Sequence, residues 1–389
     1  MDLFTCRHCG QRLYFENTRC ERCGHRLGYL PDAATLAALE PLAAEPVPGA
    51  ATAPQDWPAG AAAWSGREAA GPRDPPGAAW RPILPGPAAA AAWRLCENAA
   101  HDVCNWMVPV RSAERFCAAC RHNRVIPDLG RDGNLMRWRK LEEAKHRLFY
   151  TLLRLRLPLA DRRDDPGFGL GFDFLEDLPG QPPGSPRVMT GQDDGVITLN
   201  IAEADDAVRE GLRQKMGEPY RTLLGHFRHE SGHYFWDRLV RDGGRLDACR
   251  ALFGDDRADY EAALRRHYAH GPPPDWQART ISAYATSHPW EDFAETWAHY
   301  LHIVDTLETA RAFAMDLRPH EGAAQGDLDP YAARSIDDLV ACWLPLVFAM
   351  NSLNRSMGQG DLYPFVLSPP VVGKLGFIHA LVQPFAGQG

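Results

Sequence analysis

Pro219-Tyr-Arg-Thr-Leu-Leu-Gly-His226-Phe-Arg-His229-Glu230-Ser-Gly-His233-Tyr-Phe-Trp236-Asp237-Arg-Leu-Val240 contains the pattern His-Glu-x-x-His. On a helix, residues four apart share a face one above the other, so His229 and His233 can aim two imidazole nitrogens at one zinc ion. Glu230 is rotated away from the metal but close enough to serve as general base toward a water held there. The flanks favour a helix. Pro219 suits a first turn, and Leu223, Leu224, Phe227, Tyr234, Phe235 and Leu239 supply apolar surface. Gly243-Gly244 ends the run. Gly232 is a poor helix former, and its missing side chain would let another segment pack against the metal helix. Asp237, one turn past His233, reads as a further partner of the ligands or as a plain surface charge.

An open catalytic zinc site takes three protein ligands and a water. The missing ligand is expected in Ile281-Ser-Ala-Tyr284-Ala-Thr-Ser-His288-Pro289-Trp-Glu291-Asp-Phe-Ala-Glu295-Thr-Trp-Ala-His299-Tyr-Leu-His302. Pro289 fits a helix start, which sets Glu291 and Glu295 one turn apart on one face. Glu291 would cross to the metal while Glu295 hydrogen-bonds and orients a ligand histidine; the reverse assignment stays open. The plain alternatives are an acidic helix start favoured by the macrodipole and salt bridges to Arg238 or Arg241.

The 389 residues allow two or three domains. Hydrophobic content of 45% and charged content of 24% fit a globular chain, and a net charge of −8 argues against nucleic-acid binding by the chain as a whole. Met1-Asp-Leu-Phe-Thr-Cys6 shows no basic and apolar leader. The strongest apolar run, from Leu339 to Met350, is short for a membrane span and contains Pro345. Eight of the ten cysteines fall into two groups with Cys-x-x-Cys character; in a leaderless chain this points to reduced thiolates, zinc and a cytoplasmic location.

Cys6, Cys9, Cys20 and Cys23 form two knuckles around a hairpin-like segment, a tetrahedral four-cysteine zinc site in residues 1–30. Gly10 and Gly24 would allow the tight turns, and His8 or His25 could replace a ligand. Residues 31–92 are rich in Ala, Pro and Gly and read as a flexible linker, in which Trp57, Trp64 and Trp80 are incidental or short docking anchors. Cys96, Cys104, Cys117 and Cys120, in residues 93–130, form a second structural zinc site, with His101 or His122 as substitutes; the plain reading is a pair of buried thiols beside one knuckle. Arg111, Arg115, Arg121 and Arg124 leave nucleic acid or an acidic protein open as partners of this part. Residues 131–389 are expected to open with an amphipathic helix from Asn134 to Leu157. A strand follows at Gly195-Val-Ile-Thr-Leu-Asn-Ile201, bounded by Asp-Gly, and Leu246 to His270 reads as helix. Cys249 and Cys342 are most simply core thiols.

Cys6 to Cys23, Cys96 to Asp128, Glu218 to Val240, Ala283 to Ile303 and Leu344 to Ser368 resemble the bacterial zinc-binding metallopeptidases that carry an N-terminal zinc ribbon. More distantly, Tyr284 seven residues before Glu291, in Glu-x-Phe-Ala-Glu, resembles the lethal-factor-type gluzincins. That likeness implies Glu291 as the zinc ligand and Tyr284 as the donor that stabilises the oxyanion. In zincins the strand before the metal helix lies at the cleft edge and can pair with an extended peptide, a role expected for Gly195 to Ile201. The fold class expected is therefore α+β, mainly α, with a zincin-like metallopeptidase domain preceded by small zinc-ribbon modules. One catalytic and two structural zinc ions, a peptide or protein substrate, a protein partner at the zinc modules and no membrane complete the expectation. The competing reading is a catalytically degenerate, zinc-stabilised adaptor that binds protein or nucleic acid through its cysteine-rich modules.

Overall fold

In the computed structural model the described residues are 1–42, 77–177, 182, 187–216, 222–317 and 328–386. The chain forms two compact units, Phe4–Arg121 and Met1–Leu3 with His122–Gly389. The fold is α+β and mainly helical.

In the unit Phe4–Arg121 the first knuckles sit on a short antiparallel pair, β1 (Phe4–Thr5) and β2 (Arg12–Leu13). A five-stranded antiparallel sheet follows, made of β3 (Arg26–Leu30), β4 (Thr35–Pro41), β5 (Trp80–Pro82), β6 (Trp93–Leu95) and β7 (Met107–Pro109) in that spatial order. A one-turn helix, α1 (Pro87–Ala90), lies between β5 and β6. Leu30, Ala37, Leu39, Trp80, Trp93 and Met107 make the core. Gly28 leaves room for the Met107 side chain: a Cβ there would meet its sulfur at 2.3 Å and push it aside.

This sheet corrects the linker expected over 31–92. Thr35–Pro41 and Trp80–Pro82 are strands, joined through Leu39 opposite Pro82. Small apolar side chains suffice there because the partner strands bring the large ones. Residues 43–76, including Trp57 and Trp64, lie outside the described residues. Trp80 is no docking anchor: it is buried opposite Trp93. The expected separate module at 93–130 is likewise corrected, since β6 and β7 share one sheet with β3–β5 and the unit ends at Arg121.

The second unit contains a mixed sheet with strand order β10-β11-β9-β8, in which β8 is Asn123–Val125, β9 Gly171–Leu175, β10 Gly191–Asp193 and β11 Val196–Asn200. β10 and β11 form a hairpin over Asp194-Gly195, both at positive φ (44° and 84°), the type I′ geometry that Asp-Gly favours. The expected strand is present as β11, but it is interior. Among the described residues the edge belongs to β10, which contacts the metal helix.

The helices of this unit among the described residues are α2 (Asn134–Arg154), α3 (Asp206–Met216), α4 (Leu223–Phe235), α5 (Leu246–Phe253), α6 (Tyr260–His270), α7 (Pro289–Ala312), α8 (Ile336–Ser356) and α9 (Pro369–Ala386). The helix read over 246–270 is broken at Gly254, whose φ of 103° an L side chain rarely adopts. Pro219 lies outside the described residues. α4 instead starts with Thr222 as N-cap, whose Oγ1 accepts from the Gly225 N–H at 2.9 Å. α4 runs on through a π-helical stretch, Trp236–Arg241, before the glycines. α8 corrects the short apolar run expected there: among the described residues it is the helix long and apolar enough to span a membrane. It nonetheless packs on α7 and α9.

Candidate metal and active site

α4 and α7 pack closely where Gly232 faces Ala294; a Cβ on Gly232 would meet the Ala294 Cα at 2.8 Å. This close approach delivers the α7 carboxylates to the α4 imidazoles. Glu291 Oε2 lies 2.9 Å from His229 Nε2 and 3.5 Å from His233 Nε2. The three donor atoms fall within 4.8 Å of one another. Glu291 Oε2 is buried and has no hydrogen-bond partner. One carboxylate oxygen and two imidazole nitrogens converging without hydrogen bonding to each other form a donor set suited to zinc.

The surroundings hold these donors in place. Glu295 Oε1 is 2.7 Å from His229 Nδ1, so Nδ1–H donates to the carboxylate and Nε2 is the nitrogen turned toward Glu291. Ser282 Oγ donates to Glu295 Oε2 at 2.6 Å. The Tyr260 hydroxyl donates to Glu291 Oε1 at 2.5 Å, leaving Oε2 as the free oxygen. Trp290 packs against His233 with ring centroids 3.8 Å apart and planes tilted by 40°.

The site's electrostatics follow from burial and close pairing. Without a metal, burial works against a charged His229, but Glu291 and Glu295 outweigh it and hold its pKa well above the ordinary value, so a metal binding there would displace a proton from Nε2. Burial alone would raise Glu291; His233 and His229 pull it far below the usual carboxylate range. Glu230 lies on the same helix with 8% exposure, and burial raises its pKa, the direction that suits a general base. The Tyr284 ring is 5.9 Å from the His229 ring, and its hydroxyl is pushed up by burial and by Glu291, so it remains a neutral donor.

Asp237 is not brought to the ligands. It pairs with Arg241 at 2.5 Å, and His233 Nδ1 has no hydrogen-bond partner. Nor do Glu291 and Glu295 pair with Arg238 or Arg241; Arg238 bonds Asp165 at 3.1 Å instead.

The cysteines gather as two quartets. Cys6 Sγ is 3.7 Å from Cys23 Sγ, and Cys9 Sγ is 3.6 Å from Cys20 Sγ. Zinc–sulfur bonds of ~2.3 Å in a tetrahedron put sulfurs about 3.8 Å apart, so the quartet fits the ion. The knuckles close by Gly10 N–H to Cys6 O and Gly24 N–H to Cys20 O, with both glycines at positive φ. Cys96, Cys104, Cys117 and Cys120 are all buried and mutually close, with Cys104 and Cys117 sulfurs 3.8 Å apart. Backbone N–H groups of Trp106, Cys117 and Cys120 donate to three of the sulfurs. The His8 and His25 rings lie against each other beside the first quartet, tilted by 32°, and His122 bonds the Leu170 carbonyl.

A family model described as "Putative zinc-binding metallo-peptidase" matches residues 134–381, and a zinc-ribbon domain model matches 3–54 and 73–131. The chain belongs to this metallopeptidase family. It is 38% identical to an uncharacterized protein of Mycobacterium bovis and to uncharacterized proteins of two Mycobacterium tuberculosis strains, over 98% of this chain and 96% of each relative. No solved structure matches it.

In this member of the metallopeptidase family the structure adds groups that the sequence reading did not assign. Tyr260 and Ser282 bond the two α7 carboxylates. Ser282 and Trp290 lie inside the stretch already singled out, without a pattern marking them. Tyr260 opens a different helix, and no local spacing connects it with Glu291.

Proposed function

We propose that this chain is a zinc-dependent peptidase in which His229, His233 and Glu291 hold the metal. The observation that carries the reading is the buried Glu291 Oε2 aimed at both Nε2 atoms without a hydrogen bond of its own. Zinc bound there would act as a Lewis acid and lower the pKa of a water toward ~7. Glu230 accepts the proton of the attacking water and returns it to the leaving amine. The Tyr284 O–H donates to the carbonyl oxygen as negative charge builds on it. Glu295 fixes the His229 tautomer, and Tyr260 fixes which Glu291 oxygen faces the metal. Among the described residues β10 is an edge strand beside the metal helix, which suits antiparallel pairing with an extended peptide.

The buried Glu230 supports an enzyme over a degenerate adaptor, because a structural zinc site has no use for a base beside its ligands. Glu230→Gln is expected to retain zinc and fold while lowering peptide hydrolysis by at least ~10²-fold. A zinc-replete Glu230→Gln protein as active as its parent would refute the mechanism.

A further inference from the structure

About two turns along α6 from Tyr260 there is a cavity of about 260 Å³, lined by Arg266, His267, His270, Thr286 and Ser287 among others. It adjoins the proposed centre through Tyr284, whose ring lies 5.9 Å from that of His229 and 6.0 Å from that of His267. An extended peptide advances ~3.3 Å per residue. A group in the cavity therefore belongs to a residue within roughly four positions of a bond held at the metal. The volume is below the roughly 300–1,000 Å³ of small-molecule sites and suits one side chain.

The chemistry of the walls is that of an anion acceptor. No lining residue is Asp or Glu. Among the described residues no carboxylate pairs with Arg266, whereas the adjacent Arg265 is paired with Glu261 at 3.2 Å. Ser287 is 7% exposed, and its Oγ has no hydrogen-bond partner; buried hydroxyls are normally paired. Thr286 Oγ1 donates to the Ala283 carbonyl at 2.7 Å and sits 3.4 Å from His267 Nδ1, which holds that wall in place.

We propose that this cavity is a specificity subsite for a peptide carboxylate, gripped by the Arg266 guanidinium and the Ser287 hydroxyl. The carboxylate is an acidic side chain or the terminus of the peptide. The proposal rests on the peptidase reading above and extends it to a substrate class.

The test is fluorescence anisotropy with the full-length, zinc-loaded Glu230→Gln protein, so that binding is read without turnover. Three pools of labelled, N-acetylated and C-amidated nonamers carry a central Glu, Gln or Lys among randomised uncharged residues. A fourth pool carries Gln and a free C-terminal carboxylate. The Glu pool or the free-carboxylate pool is expected to bind at least tenfold more tightly than the amidated Gln pool, and which of them does so names the source. Arg266→Glu is expected to abolish that gap and Ser287→Ala to narrow it, while Arg265→Glu preserves it. Equal binding of all uncharged and acidic pools, or equal erosion by Arg265→Glu and Arg266→Glu, overturns the subsite. Cleavage of the same pools by the unsubstituted protein is scored separately. Its absence beside an intact carboxylate preference counts against hydrolysis alone.

Discussion

The residues of the proposed centre differ in how far the sequence reveals them. His229, Glu230 and His233 are legible because helical spacing alone brings them together. Glu291 and Glu295 share one face of α7, so spacing cannot rank them. The direction from which α7 crosses α4 separates them: Glu291 Oε2 lies near both Nε2 atoms and Glu295 near His229 Nδ1, which favours Glu291 as the proposed ligand. Tyr260 was illegible because its bond to Glu291 spans 31 residues without a pattern. Glu295→Gln tests the proposed division of labour. Zinc affinity, read by competition with a chromophoric chelator, should fall ~10–100-fold while the helical circular dichroism is unchanged. Undiminished affinity would mean that Glu295 does not position the ligand.

At the scale of elements, Gly232 is the position where α4 and α7 meet. Gly232→Ala drives a methyl group into the Ala294 backbone and should cost ~1–3 kcal/mol, seen as a lowered midpoint in denaturant unfolding. Helix propensity predicts the opposite sign, since alanine outranks glycine by about 1 kcal/mol, so the measurement separates packing from propensity. The loop before β9 carries an acid-sensitive contact. Burial would raise the Asp161 carboxyl, but Arg163 and the N–H groups of Arg163 and Asp164 bring it down to about 2. The folded value lies below the unfolded ~3.9. The ionised group therefore stabilises the fold above pH ~3.9, and the gain is lost as pH falls through about 2. Asp161→Asn should cost about 2 kcal/mol at pH 7 and almost nothing near pH 2; a pH-independent cost would refute the assignment. Strands were the less legible elements. β11 and its Asp-Gly turn could be read, because turn chemistry is local. β4 could not, because Thr35-Leu-Ala-Ala-Leu-Glu-Pro41 has linker-like composition and is strand only by pairing with β3 and β5.

The whole molecule should bind zinc in a fixed ratio. Two cysteine quartets and one His-His-Glu set should hold about three zinc ions per chain. Removing both histidines (His229→Ala with His233→Ala) should lower the count to about two with both units still folded. An unchanged count by elemental analysis would mean that α4 binds no zinc and would move the adaptor reading to first place. The general class, mainly helical with cysteine-rich modules ahead of a metal helix, was legible because thiolate spacing and helical period are both short-range. The boundary at Arg121 was not. It depends on β6 and β7 completing a sheet begun before residue 42, a pairing across many residues that composition does not encode.

Beside the proposed ligand Glu291, the carboxylate of Asp292 is buried against Lys374 Nζ at 2.5 Å, and the same ammonium donates to the Arg279 carbonyl at 2.8 Å. The counter-charge lies on α9, 82 residues later. During synthesis, α4 and the start of α7 leave the ribosome long before Lys374 does. In that interval Asp292 has no ammonium to face, and α7 lacks the helix that clamps it. The Asp292–Lys374 pair can therefore form only after α9 has been made, so α7 gains this buried counter-charge late in synthesis.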